Sequence, residues 1–290
     1  MVKLGIIGDP VKQSVSPFLI ELLFEKLGQD VAYKKYEVLQ GDLREWLRGR
    51  AAKGLDGFNV TIPHKTAIIP FLDAMNDRSA PLKAVNVVRK HDGKLVGYNT
   101  DWYGFVKAVQ MNSVDLKDAN VVILGAGGAA RAVAFGASRM GAKRITIVAR
   151  KLPHGVLVVK DLKAAVAPTL METTPWDVNA VEPIEQAYMI VNTTPIGMKP
   201  DIRQTPLDKD LLENASVVMD VVYNPINTRL LADALMSDCQ TIPGLDMLMY
   251  QAMAAVDVWL GEEQDWKAVN LDEVRELTHN KITGFKRKDY

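Results

Sequence analysis

Short apolar runs alternate along the chain with stretches whose apolar residues recur at helical spacing. Residues 3–7 and 31–38 read as strands, and the spacing over 17–27 predicts a helix stopped at Gly28. A second helix is expected over 43–53, stopped by Gly54, and 57–62 is a short strand running into Pro63. Segments 86–88 and 94–98 are β-rich, and Asp92-Gly93 between them marks a hairpin turn. After Asp101 the pattern changes. A helix over about 103–111 leads into Asn120-Val121-Val122-Ile123-Leu124, a strand apolar on both faces, as in the middle of a parallel sheet. Further strands are expected at 144–149, 189–192 and 217–222, and helices at 245–260 and 270–279. Asn270 and Glu273 have the spacing of a capping box for the last helix. The tail 281–290 is polar and is assigned no role. Alternating strands and helices imply an α/β fold with a largely parallel sheet.

Composition narrows the partners. With 48% hydrophobic and 24% charged residues, the chain can bury a full core. Basic and acidic residues balance at 35 each, so no global field favours nucleic acid or an anionic membrane, and neither is expected as a partner. An anion must be held by a local site. Cys239 is the single cysteine, which excludes an intramolecular disulfide and a cysteine-based metal cluster. His64, His91, His154 and His279 lack ligand spacing, so no metal is expected. The opening apolar run is too short for a signal peptide, and no run approaches the roughly 20 residues of a membrane span. The glycosylation-like triplets at Asn59, Asn192 and Asn214 are then chance matches, and a cytoplasmic protein is expected.

The strand ending at Leu124 runs into Gly125-Ala126-Gly127-Gly128-Ala129-Ala130-Arg131, followed by an Ala-rich helix to about 140. This is G-x-G-x-x-A between a strand and a helix. The first glycine suits a tight turn, the second a close approach of backbone to pyrophosphate, and Ala130 helix–sheet packing. The helix N-terminus offers unpaired N–H groups to phosphate. Gly125, Ala126, Gly127, Gly128 and Ala129 are therefore candidate cofactor contacts. An NAD enzyme usually places a carboxylate at the end of the next strand; here Arg150-Lys151 stand there, with no acid before Asp161. A cationic pair suits a ribose 2′-phosphate. NADP is the expected cofactor, with NAD left open.

Gly57-Phe58-Asn59-Val60-Thr61-Ile62-Pro63-His64-Lys65 resembles the G-x-N-V-T-x-P-x-K signature of the shikimate dehydrogenase family, and Ser14-Val15-Ser16-Pro17 its S-x-S-P turn. Segments at Asn86, Asn99-Thr100-Asp101, Asn192 to Met198, Asp220 to Pro225 and Gly244 to Ala252 are similar to further motifs, in family order. The resemblance implies reversible NADP-linked interconversion of shikimate and 3-dehydroshikimate in aromatic amino-acid biosynthesis. It implies an N-terminal α/β substrate domain over 1–103, completed by C-terminal helices in 244–290, and a Rossmann-like NADP-binding domain over 104–243. Lys65 and Asp101 carry over as catalytic residues. Ser14, Ser16, Thr61 and Tyr223 carry over as binders of the substrate carboxylate, and Lys65, Asn86, Asp101 and Gln251 as binders of ring hydroxyls. Hydroxyl and amide groups can hold such an acid without burying many full charges. Thr193, Met198, Val221 and Gly244 carry over as further cofactor contacts. A small-molecule substrate and a monomer or homodimer are expected.

The sequence departs from the family at Gln13, at Ile20-Glu21, at Lys83 in place of the usual Gly, at Val87 in place of Thr, and at Ala149 and Lys151 around the shared Arg150. These leave open a paralogue acting on quinate or another hydroxy ring acid, with NAD or NADP. A ligand sensor without turnover is the reading from another class; retention of Lys65 and Asp101 argues against it. Ser14 and Ser16 also suit a helix N-cap. His64, beside Lys65 in what is expected to be an extended loop, points elsewhere than Lys65 and is not assigned acid–base chemistry, and Met247, Met249 and Met253 are read as core.

Overall fold

The computed structural model describes residues 1–284; the end of the polar tail lies outside them. The chain divides into two compact units, residues 1–100 with 251 onward, and residues 101–250. The boundaries expected from sequence were 103/104 and 243/244.

In the first unit the order is β1 (Val2–Gly8), α1 (Ser16–Lys26), β2 (Val31–Glu37), α2 (Leu43–Arg48), α3 (Arg50–Lys53), β3 (Gly57–Val60), α4 (His64–Ala67), β4 (Ala74–Met75), β5 (Val87–His91) and β6 (Lys94–Tyr98). The sheet order is β2-β1-β3-β5-β6-β4, with β2, β1 and β3 parallel and β3, β5 and β6 antiparallel. Ile7, Phe58, Val60, Ile68, Val85 and Val88 form its buried core. The hairpin turn has both central residues at positive φ, 49° for Asp92 and 76° for Gly93, as its sequence requires.

The single helix expected over 43–53 is two. Gly49 is extended (φ −71°, ψ 167°), and its missing Cβ would stand 3.1 Å from the Trp46 carbonyl, so the chain breaks there. The strand expected over 57–62 stops at Val60, where the chain turns toward α4. Lys83 adopts the left-handed conformation (φ 47°, ψ 37°), the physical reason a glycine suits this position.

The second unit runs α5 (Asp101–Met111), β7 (Asn120–Leu124), α6 (Gly128–Arg139), β8 (Arg144–Ala149), α7 (Leu152–Val166), β9 (Leu170–Pro175), α8 (Val181–Glu185), β10 (Met189–Asn192), β11 (Val217–Asp220), α9 (Arg229–Met236) and β12 (Gln240–Pro243). The division between units falls within α10 (Gly244–Leu260), and α11 (Leu271–Thr283) follows. All six strands are parallel, in the order β12-β11-β10-β7-β8-β9. This is the doubly wound arrangement whose order reverses between β10 and β7.

Alternation along the strands builds two cores. Val121, Ile123, Ile145, Ile147, Met189 and Val191 pack under α5, α6 and α7 on one face. Val122, Leu124, Val148, Ile190 and Val218 pack under α8 and α9 on the other. Both faces being covered is why these strands lack polar alternation. The strand expected over 217–222 ends at Asp220, whose side chain captures the Val222 N–H. The last helix starts as its cap predicts, with the Glu273 N–H donating to Asn270 Oδ1 at 3.1 Å.

Candidate active site

In the first unit the candidate substrate residues gather where β1 and β3 end. Ile7 is level with Val60, so the loops leaving both strands run side by side, with Asp9 N–H bonded to the Ile62 carbonyl at 2.8 Å. Gly8 permits that approach, because a Cβ there would lie 2.3 Å from Thr61 Cγ2. Ser14 Oγ accepts from the Ser16 N–H at 3.2 Å. The N-cap of α1 is Val15, with no side-chain cap bond, so the helix-cap reading of the serines does not hold. No acidic residue stands in the first turn of α1, which leaves that end compatible with an anion.

Lys65 lies half-buried on α4, and its carbonyl accepts from the Val85 N–H at 2.7 Å, next to Asn86. Asn86 is a buried hub. Its Nδ2 donates to Thr100 Oγ1 at 2.9 Å and Gln251 Oε1 at 3.1 Å, and its Oδ1 accepts from the Thr100 N–H at 2.7 Å. Asn59 Nδ2 donates to the Asn86 carbonyl at 3.1 Å, and Asn59 Oδ1 accepts from the Tyr33 hydroxyl. His64 opens the short helix α4, where an extended loop was expected, and is buried with its Nε2 2.6 Å from the Val38 carbonyl. The departures divide: Ile20 and Val87 lie in the core, whereas Gln13 and Lys83 are exposed. Asp101 and Tyr223 belong to the second unit; Asp101 is buried and opens α5, one peptide bond after Thr100.

In the second unit the register aligns Leu124, Asn192, Asp220 and Pro243 across β7, β10, β11 and β12. Each next residue is a cofactor candidate, so Gly125, Thr193, Val221 and Gly244 form one row at the carboxyl edge. Ligands of open parallel sheets bind outside that edge, at the point where strand order reverses. Gly125 has φ 109°, and a Cβ there would meet Thr193 Oγ1 at 2.8 Å. Thr193 directs both its N–H and its hydroxyl to the Leu124 carbonyl, at 2.9 and 2.7 Å. Gly244 is forced by packing, since its Cβ would lie 2.6 Å from the carbonyl oxygens of Val221 and Val222. Met198 closes a turn on the Pro195 carbonyl, with Gly197 at φ 91°.

Gly127 differs from its neighbours. Its backbone is extended, and nothing of the protein lies within 4 Å of where its Cβ would be. It is the N-cap of α6, which carries no side-chain cap bond and no acid in its first turn, so the N–H groups of Gly128, Ala129 and Ala130 face that opening without an internal acceptor. The buried Arg131 pairs with the half-buried Asp161 at 2.9 Å, which ties α6 to α7 and removes Asp161 from any ribose contact. Arg150 and Lys151 follow β8, exposed and, among the described residues, in no ion pair. An open glycine, an uncapped helix and an unpaired cationic end fit a dinucleotide with an added phosphate.

Sequence reasoning gave no role to the polar groups behind this row. Asp220 is fully buried and accepts from Asn192, Val222 and Thr228; burial pushes its carboxyl up to about 6, against the lowering effect of those bonds. Asn192 is buried as well, which disposes of its glycosylation-like triplet. The available signal was the position of both residues at the ends of fully apolar strands.

A doubly wound parallel sheet with a glycine-rich first turn, in one chain with a smaller α/β unit, is the architecture of a nicotinamide-dinucleotide-dependent oxidoreductase. Residues 6–88 match the family model described as the shikimate dehydrogenase substrate binding domain. A shikimate dehydrogenase (NADP(+)) of Bacillus cereus is 37% identical over 281 residues, covering 97% of this chain and 98% of the relative. The structure of shikimate 5-dehydrogenase from Thermus thermophilus in complex with NADP(H) and shikimate has a TM-score of 0.82 at 28% identity, covering 96% of this chain and all (100%) of that one. Quinate dehydrogenase from Corynebacterium glutamicum, in complex with NAD, also has a TM-score of 0.82, at 29% identity over 95% of this chain and 97% of that one. The chain belongs to the shikimate dehydrogenase family.

Proposed function

We propose that the protein is a shikimate dehydrogenase, reducing 3-dehydroshikimate to shikimate with NADPH and running in reverse with NADP. The observation that carries this reading is the presence in one chain of two sets of residues: the hydroxyl- and amide-bearing loops after β1 and β3, and the open glycine-rich edge of the second unit with Arg150 and Lys151 at its end. The identity to shikimate dehydrogenases named for NADP over nearly the whole chain supports it.

Ser14, Ser16, Thr61 and Tyr223 hold the substrate carboxylate, and Lys65, Asn86, Asp101 and Gln251 the ring hydroxyls. Asn86 and Thr100 fix the Gln251 amide before substrate arrives, so little ordering is left to do on binding. Gly125 to Ala129 receive the pyrophosphate, Arg150 and Lys151 the 2′-phosphate, and Thr193, Met198, Val221 and Gly244 line the nicotinamide end. The dinucleotide supplies the hydride for the ring carbonyl. Lys65 delivers a proton to the developing alkoxide and takes it back in the oxidation, with Asp101 positioning it. A cytoplasmic monomer or homodimer is the form this reading proposes; no helix among the described residues is long and apolar enough to cross a membrane.

Consumption of NADPH with 3-dehydroshikimate tests the reading, one shikimate forming per NADPH. Tight binding of both ligands without turnover would instead make the protein a sensor.

A further inference from the structure

The Asp220 carboxylate has no part in the contacts assigned above. Its Oδ1 accepts from the Val222 N–H at 3.0 Å and from Asn192 Nδ2 at 2.9 Å, and its Oδ2 from the Thr228 hydroxyl at 2.7 Å. The three donors come from three segments. Asn192 opens the loop to Met198, Val222 lies between Val221 and Tyr223, and Thr228 caps α9 by accepting from the Leu231 N–H at 3.3 Å.

Asn192 carries the constraint onward. Its Oδ1 accepts from the N–H and hydroxyl of Thr194, at 3.0 and 2.7 Å, and its Nδ2 reaches the Ile196 carbonyl at 3.3 Å. Thr194 Oγ1 in turn accepts from the Ile196 N–H at 3.2 Å. One buried side chain thereby sets the course of two loops, the one carrying Thr193 and Met198 and the one carrying Val221 and Tyr223.

A carboxylate is a costly group to bury, and no cation pairs with Asp220 among the described residues. Neutral side chains can join two segments more cheaply. What an ionised carboxylate adds is acceptor capacity without a donor, so three donors from separate segments can converge on it. All three donors converge immediately behind the row of Thr193 and Val221.

We propose that Asp220 is a positioning residue for the reaction, fixing the two loops that hold the nicotinamide end of the cofactor and Tyr223 while touching neither ligand. The inference rests on the dehydrogenase reading above. It predicts that loss of the carboxylate spares the adenosine end of the cofactor and harms the nicotinamide end.

The test is Asp220→Asn, which keeps the shape and one acceptor but turns a donor toward Thr228. Calorimetry should give a 2′,5′-ADP Kd within about twofold of the parent, since those contacts lie at α6 and Arg150. The NADP Kd should rise and kcat fall, each by at least about tenfold, with the melting temperature near the parent's. Equal weakening of NADP and 2′,5′-ADP, or unchanged kcat and NADP Kd, would overturn the proposal. Should that variant not fold, Asn192→Ala cuts the link to the Thr193 loop and leaves two of the bonds to Asp220; the same split is expected, and native behaviour would overturn it. Turnover of the parent enzyme in the same assay tests the underlying dehydrogenase reading separately, because the binding split is read without catalysis.

Discussion

At the residue scale, some side chains of the candidate site are committed to the fold and others are left for ligands. Lys65 is half-buried on α4, its backbone pinned by the Val85 N–H, a placement suited to a proton carrier. Loss of a proton carrier lowers kcat, whereas loss of a contact equal in ground and transition states raises KM alone. Lys65→Ala should lower kcat by at least about a hundredfold with NADP affinity nearly intact, as steady-state kinetics and calorimetry would show. A near-normal kcat with a raised KM would remove the acid–base role. Arg150 is exposed and has no ion-pair partner among the described residues, so its removal should cost the fold little. Arg150→Ala should weaken NADP by about tenfold to a hundredfold and NAD far less, the difference being one charge-assisted bond. Equal losses for the two dinucleotides would mean that no 2′-phosphate sits there. Gly127 supplies the cleanest separation of fold from function. Its conformation is open to any residue and its Cβ position is empty, so Gly127→Ala should change stability by no more than about 1 kcal/mol yet sharply weaken NADP. Native NADP affinity in that variant would place the pyrophosphate elsewhere.

At the element scale the site is a consequence of register. Because Leu124, Asn192, Asp220 and Pro243 are level, motif residues far apart in sequence reach one edge. The motifs and the central strands were legible because both faces of β7, β8, β10 and β11 are buried and read as continuous apolar runs. The outer elements were not. β9 and β12 are edge strands with mostly half-exposed residues, LMETTP and QTIP, and carry no such signal. α7 is built from LPHGVLVVKDLKAAV, whose valines and Gly155 obscure a buried stripe at Gly155, Val158, Leu162 and Val166. Gly155 is there for packing, since a Cβ would fall 2.1 Å from Thr173 Oγ1. The polar bonds behind the row were illegible because no pattern in the chain announces that Asp220 faces Asn192 and Thr228. That carboxyl also makes stability pH-dependent. Folding raises its pKa from the ordinary 3.8 to about 6, so the folded state holds the proton more tightly. The group therefore favours the fold fully below about pH 4, and that stabilisation is lost as pH rises through about 6. Relative to Asp220→Asn, the parent should lose about 2 kcal/mol of unfolding free energy between about pH 4.5 and about pH 7, measured by urea melts. A pH-independent difference would show that Asp220 does not titrate in this range.

At the scale of the whole molecule, the chain carries its proposed chemistry on two α/β units. In the proposed reading the hydroxyls, amides and Lys65 belong to the first, and Asp101, Tyr223 and the dinucleotide residues to the second. The departures Ile20 and Val87 are core residues, which makes them packing substitutions rather than changes of chemistry, while Gln13 is exposed beside the Ser14 turn. Substrate choice is therefore where sequence alone left the widest gap, and the related quinate dehydrogenase shows that the fold admits another ring acid. The most direct measurement is kcat/KM for shikimate and for quinate, each with NADP and with NAD, under one set of conditions. The account predicts that shikimate with NADP exceeds each of the other three pairings by at least about tenfold, a difference of about 1.4 kcal/mol in transition-state binding. Faster turnover of quinate, or no preference for NADP, would contradict it.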